Sequence, residues 1–181
     1  AAQQGHQALE SLFSLASHRD DQFMWNLGKI YQQLRQFENQ GRSPVSSEQF
    51  KGHARALFER YPKYLAEPDY QKIVAIFFSE NECDQLIATK LSDPVDIDLL
   101  RELVSEPLRH ERHLDRCREI LRRGGPIWDS FIRNVPDWNH MLEIFTPFEL
   151  LDLLEMSLAD AVAAVRRGER FSIAAAQALA D

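Results

Sequence analysis

The stretch LRHERHLDRCREILRRGG, residues 108–125, holds the densest chemistry in this 181-residue chain. It gathers two histidines, a cysteine, three carboxylates and six arginines into about five helical turns. His110, His113 and Cys117 are residue types that ligate transition metals. Their spacing works against one shared ion. Residues 110 and 117 stand about 10.5 Å apart along a helix, whereas zinc holds its ligand atoms about 2.0–2.3 Å away. Two adjacent members would need ligands from elsewhere, such as His140. The run HERH is not the HExxH of a zinc protease, and the spacings of a structural zinc tetrad are absent. His110, Leu114, Cys117 and Leu121 also fall on one apolar stripe, where a packed thiol and a hydrogen-bonded histidine are at home. No metal and no cofactor are expected.

The arginines offer different chemistry. Arg109, Arg112, Arg116 and Arg123 share one side of a helix predicted over 107–123, with Arg118 and Arg122 on its flanks. Guanidinium groups present forked donors that match carboxylate or phosphate. One reading is an exposed basic ridge for an acidic partner. Two others compete with it: a solvated face laced with pairs to Glu111, Asp115 and Glu119, and internal pairing with the acidic run Asp96, Asp98, Glu102 and Glu106. Trp25 is a second anomaly. It lies opposite the apolar stripe of its helix, among Lys29, Gln32, Gln33 and Gln36. It either tucks beneath a neighbouring helix or serves as an interface anchor, a role in which tryptophan is enriched.

Motifs for catalysis are lacking. HRDD (18–21) reads as a helix cap at Asp20. RRGGP (122–126) follows no strand and has no P-loop lysine, so it reads as a helix stop and a proline-led restart. No serine sits in a nucleophile elbow. An enzyme site scattered through the bundle would escape this search.

These residues have to be positioned by helices. Apolar residues recur at steps of three and four almost throughout, and no stretch alternates long enough for a strand. Helices are predicted over 6–16, 20–39, 47–60, 68–78, 80–91, 94–105, 107–123, 126–134, 136–145 and 147–166, followed by an apolar tail at 171–180. The 20–39 helix carries Phe23, Leu27, Ile30, Leu34 and Phe37 as its stripe, with Gly41 just past its end. Ser46 with Gln49, Ser79 with Glu82, and Thr146 with Glu149 read as capping boxes. Pro68, Pro94, Pro107, Pro126, Pro136 and Pro147 open helical patterns, because proline suits a first turn. Trp128 with Phe131, and Trp138 with Met141 and Phe145, belong to apolar stripes. Leu151, Leu154, Leu158 and Val162 are predicted to form the spine of the core. The fold expected is all-α: a compact bundle of about ten mostly short helices, partly orthogonal. It is read as a single helical domain over 1–181, with an N-terminal hairpin at 6–39 joined through 39–46 to a main bundle at 47–181.

Composition narrows function only coarsely. With 21 basic and 28 acidic residues the net charge is −7, which opposes general nucleic-acid binding. No apolar run approaches the length of a membrane span, and the acidic face of the 147–166 pattern does not suit a membrane-surface helix. Cys83 and Cys117 are expected as free thiols. The chain is read as soluble, cytoplasmic or exported by a route without a visible signal peptide. The expected function is a protein-interaction or regulatory module, such as an adaptor, a chaperone-like regulator or a domain of a secreted effector. Arg109, Arg112, Arg116, Arg123 and Trp25 would meet an acidic partner. The alternative is a small-molecule or metal-dependent enzyme with its site inside the bundle.

Overall fold

The computed structural model describes residues 2–16, 21–42, 45–134 and 138–153, and every regular element among them is helical. In chain order these are α1 (Ala2–Ala16), α2 (Asp21–Asn39), α3 (Ser47–Arg60), α4 (Gln71–Phe77), α5 (Glu80–Lys90), α6 (Ile97–Ser105), α7 (Glu111–Arg122), α8 (Gly125–Ile132), α9 (Trp138–Ile144) and α10 (Pro147–Leu153). Short 3-10 turns occupy Pro62–Leu65 and Pro68–Tyr70. The all-α class with about ten short helices is therefore as the periodicity predicts. Among the described residues no helix is long and apolar enough to cross a membrane.

Local chemistry sets the helix ends. The Ser79 hydroxyl accepts from the Glu82 N–H at 3.2 Å, while the Glu82 carboxylate accepts from the Ser79 N–H at 3.1 Å, a complete capping box at the start of α5. Ser46 and Thr146 accept from the N–H groups of Gln49 and Glu149, at 3.4 and 3.2 Å. At the end of α2, Gly41 takes φ 66°. The N–H of Gly41 bonds to Glu38 O at 2.9 Å and that of Arg42 to Phe37 O at 2.8 Å, which is a Schellman stop. Gly124 takes φ 64° and ψ −147°, a region open only to glycine, and lets α7 turn into α8.

Three proline-led starts differ from expectation. Pro68 opens a 3-10 turn, and α4 begins at Gln71. Asp96, not Pro94, starts α6, because its carboxylate accepts from the Leu99 N–H at 2.9 Å. After Pro107, the N–H groups of Arg109 and His110 turn back to Glu106 O at 3.1 and 3.3 Å. His110 leaves helical geometry at φ −111° and ψ 30°, so α7 begins at Glu111. The apolar stripe of α2 is also rotated. Met24, Leu27 and Tyr31 are buried, Phe23, Ile30 and Leu34 are half-buried, and Phe37 is exposed. Tyr31 turns inward because it packs on Phe77 of α4, with ring centroids 5.4 Å apart.

The chain forms two compact units, Ala1–Thr89 and Lys90–Asp181. In the first, α3 packs against α1, α2 and α4, and buries Phe50, Ala54, Leu57 and Phe58. The 39–46 segment lies inside this unit. Glu38 spans it, taking the Ser47 N–H at 2.9 Å on one oxygen and the Ser47 hydroxyl on the other. In the second, α6 packs against α7, α8 and α9, and buries Leu99, Leu100, Leu103 and Val104. Fully burying such side chains contributes about 1.5–3 kcal/mol each. Leu150 and Leu151 of α10 are buried. Leu154, Leu158, Val162 and the 171–180 tail lie outside the described residues.

Gly124→Ala should destabilise the protein by about 1–3 kcal/mol in denaturant melts, since alanine is strained at that φ and ψ. A change below about 0.5 kcal/mol would mean the turn re-forms another way. A second prediction concerns acid. Bonds from the Ser79 N–H, the Arg55 guanidinium and the Ser79 side chain hold the Glu82 carboxyl below its ordinary 4.5. A carboxyl lowered in the folded state contributes stability in full above its unfolded value, and loses it as pH falls through the folded value. Glu82→Gln should therefore flatten the fall of Tm below about pH 4.5. An unchanged acid limb would contradict that role.

Candidate functional site

α7 fixes the chemistry of the 108–125 stretch by burying one side. Leu114, Cys117, Ile120 and Leu121 all face the core of the second unit. Burial pushes the Cys117 thiol up to about 12, which outweighs the opposing pull of Arg118 and Arg116. The thiol therefore stays protonated at neutral pH and is a packing group, not a nucleophile. His110 stands at the helix start and His113 one turn on, both half-buried. Among the described residues no three His, Cys, Asp or Glu side chains converge as metal ligands. Both cysteines are free thiols.

The six arginines divide by what they touch. Arg118 donates through Nε to Ile144 O at 3.0 Å, the last residue of α9, and pairs with Asp115. Arg122 grips both oxygens of Glu149 on α10 at 3.2 and 3.3 Å, and its guanidinium lies 5.8 Å from the Phe145 ring centroid. Arg116 reaches Leu91 O at 3.4 Å and Glu119 at 3.1 Å. Arg123 meets the same Glu119 oxygen at 2.7 Å. Hydrogen bonds from Arg116 and Arg123 lower the Glu119 pKa. Arg109 is exposed on the turn before α7, 3.5 Å from Glu106. Arg112 is exposed on α7 itself. Arg112, Arg116 and Arg123 thus share α7 and its end, whereas Arg109 sits on the corner that leads into it.

Sequence reasoning missed what stands beside Arg109. Leu108 is 84% exposed, the most exposed large apolar side chain among those described. It borders a cleft of about 260 Å³ that includes Pro107, Arg109, His140 and Glu143. The Nδ1 atom of His140 is buried with no hydrogen-bond partner among the described residues. The signal for Leu108 was its place directly after Pro107, where an apolar residue on a turn has no helix face to join. Trp25 belongs to the first unit. It is 51% exposed, and its ring packs at 5.4 Å on the buried Tyr70. Trp25 is therefore partly covered and partly presented, between the two readings the sequence allowed.

No protein-family model, curated protein or solved structure matches the chain.

Thiol chemistry separates the two cysteines. With a disulfide-exchange reagent at pH 8, native protein should react at the half-exposed Cys83 and leave Cys117 untouched until unfolding. Fast labelling of a Cys83→Ser variant would show that Cys117 is open to solvent and that burial does not hold its thiol.

Proposed function

We propose that this chain is a protein-interaction or regulatory module, of the adaptor, chaperone-like or effector-domain kind, whose second unit meets an acidic partner. What supports the reading most is the corner before α7, where the exposed Leu108 is followed by the exposed Arg109 and, one turn on, Arg112. An exposed apolar side chain followed by guanidinium donors is the composition of a binding patch in a chain whose net charge is −7. Arg116 and Arg123 extend the patch along α7, and their shared Glu119 fixes where their donors point. Charge of this kind speeds encounter and sets specificity more than it adds affinity. Trp25 is the proposed anchor on the first unit.

Reversal of charge at Arg109 and Arg112 tests this. Proteins captured from a lysate by the wild-type chain at low salt should be released as salt rises. The Arg109→Glu/Arg112→Glu variant should capture none of them. Its Tm should stay within about 2 °C of wild type, as for surface substitutions. An unchanged set of captured proteins would sink the proposal, and a sharp fall in Tm would make these arginines structural. Trp25→Ala should weaken binding of a captured partner about 30-fold or more if the ring is an anchor, and an unchanged Kd would remove it from the site.

A further inference from the structure

Two clefts meet along one side of the α1–α3 pair. One, of about 310 Å³, runs between Phe13 and Ser14 of α1 and Leu57 and Arg60 of α3. The other, of about 320 Å³, lies between His6 of α1 and Gln49 and Gly52 of α3. Both are lined by His53 and Ala56, so the two lie side by side along α3 and form a stepped trough. From Gln49 to Arg60 it follows α3 for about 16 Å.

The floor is apolar, and the first cleft carries one carboxylate, Glu10, and one guanidinium, Arg60. Phe13 and Leu57 are buried beneath it. The His53 ring stacks on Phe13 with centroids 5.2 Å apart and planes 20° from parallel. Its nitrogens have no hydrogen-bond partner among the described residues. The carboxylate of Glu10 is engaged by His6 at 3.1 Å. Arg60, which lines the same cleft as Glu10, makes no ion pair among the described residues. Gly52 and Ala56 are exposed and keep the mouth open: a Cβ added at Gly52 would meet nothing within 4 Å. Glycine inside an exposed helix lowers helix stability relative to alanine, and nothing in the packing of α3 requires it there.

We infer that this trough binds a small amphipathic carboxylate with an unbranched apolar body about 10–12 Å long. The length is that of α3 between Gly52 and Arg60, eight residues at 1.5 Å each. The carboxylate takes the forked donors of Arg60. The hydrocarbon lies over Leu57, Ala56 and Phe13 towards the open space at Gly52. A cleft pair of this size falls within the range of small-molecule sites, which are mostly apolar with a few placed polar groups.

Sodium octanoate and 1-octanol, of equal chain length, are the probes, titrated into the full ¹⁵N-labelled chain below the octanoate micelle concentration. Octanoate should give saturable shifts at α1 and α3 amides, with affinity about two- to five-fold above octanol, the difference expected of one solvent-exposed ion pair. Arg60→Gln should erase that preference. Ala56→Leu, a good helix former at an exposed position, adds bulk at a residue that lines both clefts and should abolish binding with Tm held. Gly52→Leu is a second blocking variant should Ala56→Leu lower Tm. Non-saturable shifts, shifts centred away from α1 and α3, equal affinity for octanol, or an unchanged Kd in Arg60→Gln would each overturn the assignment.

Discussion

Short helices leave backbone groups unsatisfied, and this constraint shapes the protein. Each helix ends with four carbonyls and begins with four N–H groups that lack an intrahelical partner. In a seven-residue helix such as α4, most of the backbone is terminus. A bundle of such pieces buries apolar faces only if its ends are satisfied, because a buried unpaired polar group costs about 1–3 kcal/mol. At the N-termini the answer is local: Ser46, Ser79, Asp96 and Thr146 each accept from an N–H three residues on. At the carbonyl ends of the second unit, arginine supplies part of the answer. Arg101 donates to Ser130 O at 2.7 Å in the last turn of α8, and Arg118 to Ile144 O at the end of α9. A guanidinium suits this task because it stays charged, carries five donors and meets the negative end of the helix dipole.

That use of arginine changes the meaning of the basic run on α7. Arg118 and Arg122 fasten α7 to Ile144 and to Glu149 of α10, so they belong to the architecture of the unit. Arg116 and Arg123 stand between the two roles, since both meet Glu119 while Arg123 remains exposed. Exposed pairs of this kind contribute little to folding. They do hold long side chains in fewer rotamers, which lowers the entropy lost when a partner binds. The corner at Leu108 and Arg109 stands out because the turn after Pro107 carries both side chains away from the buried stripe of α7.

The limits of legibility follow the same division between local and distant partners. The Ser79–Glu82 box, the stop at Gly41 and the buried stripe of α7 were legible because their geometry spans three to seven residues and depends on side-chain identity. The arginine bonds to carbonyls were not. Leu91, Ser130 and Ile144 accept through their backbones, and a backbone carbonyl has no residue type to mark it. The rotation of the α2 stripe was hidden for a related reason. Tyr31 reads as polar in a periodic pattern, yet α4 supplies Phe77 to cover its ring. The start of α7 was misplaced by four residues because Pro107 opens a turn that closes on Glu106 before the helix begins. That displacement moved Arg109 off the helix. The α1–α3 trough left no trace in the periodicity, since Gly52 and Ala56 gain meaning only once α1 lies alongside them.

The two proposed surfaces differ in how they are built, and this bears on what each can recognise. The arginine patch consists of long side chains on a corner and a helix, so it can follow the contour of a broad partner, at an entropic cost for each side chain that becomes fixed. The trough is shaped by backbone spacing and by the absence of side chains at Gly52 and Ala56. Its floor of Phe13 and Leu57 is already packed, and its single uncommitted charge stands at one end. Such a preformed site loses little entropy on binding but tolerates little variation in shape, because a branched or bulky body would have to displace packed helix. Selectivity at the trough therefore comes from shape and one charge, whereas selectivity at the arginine patch comes from charge distribution over a wider area.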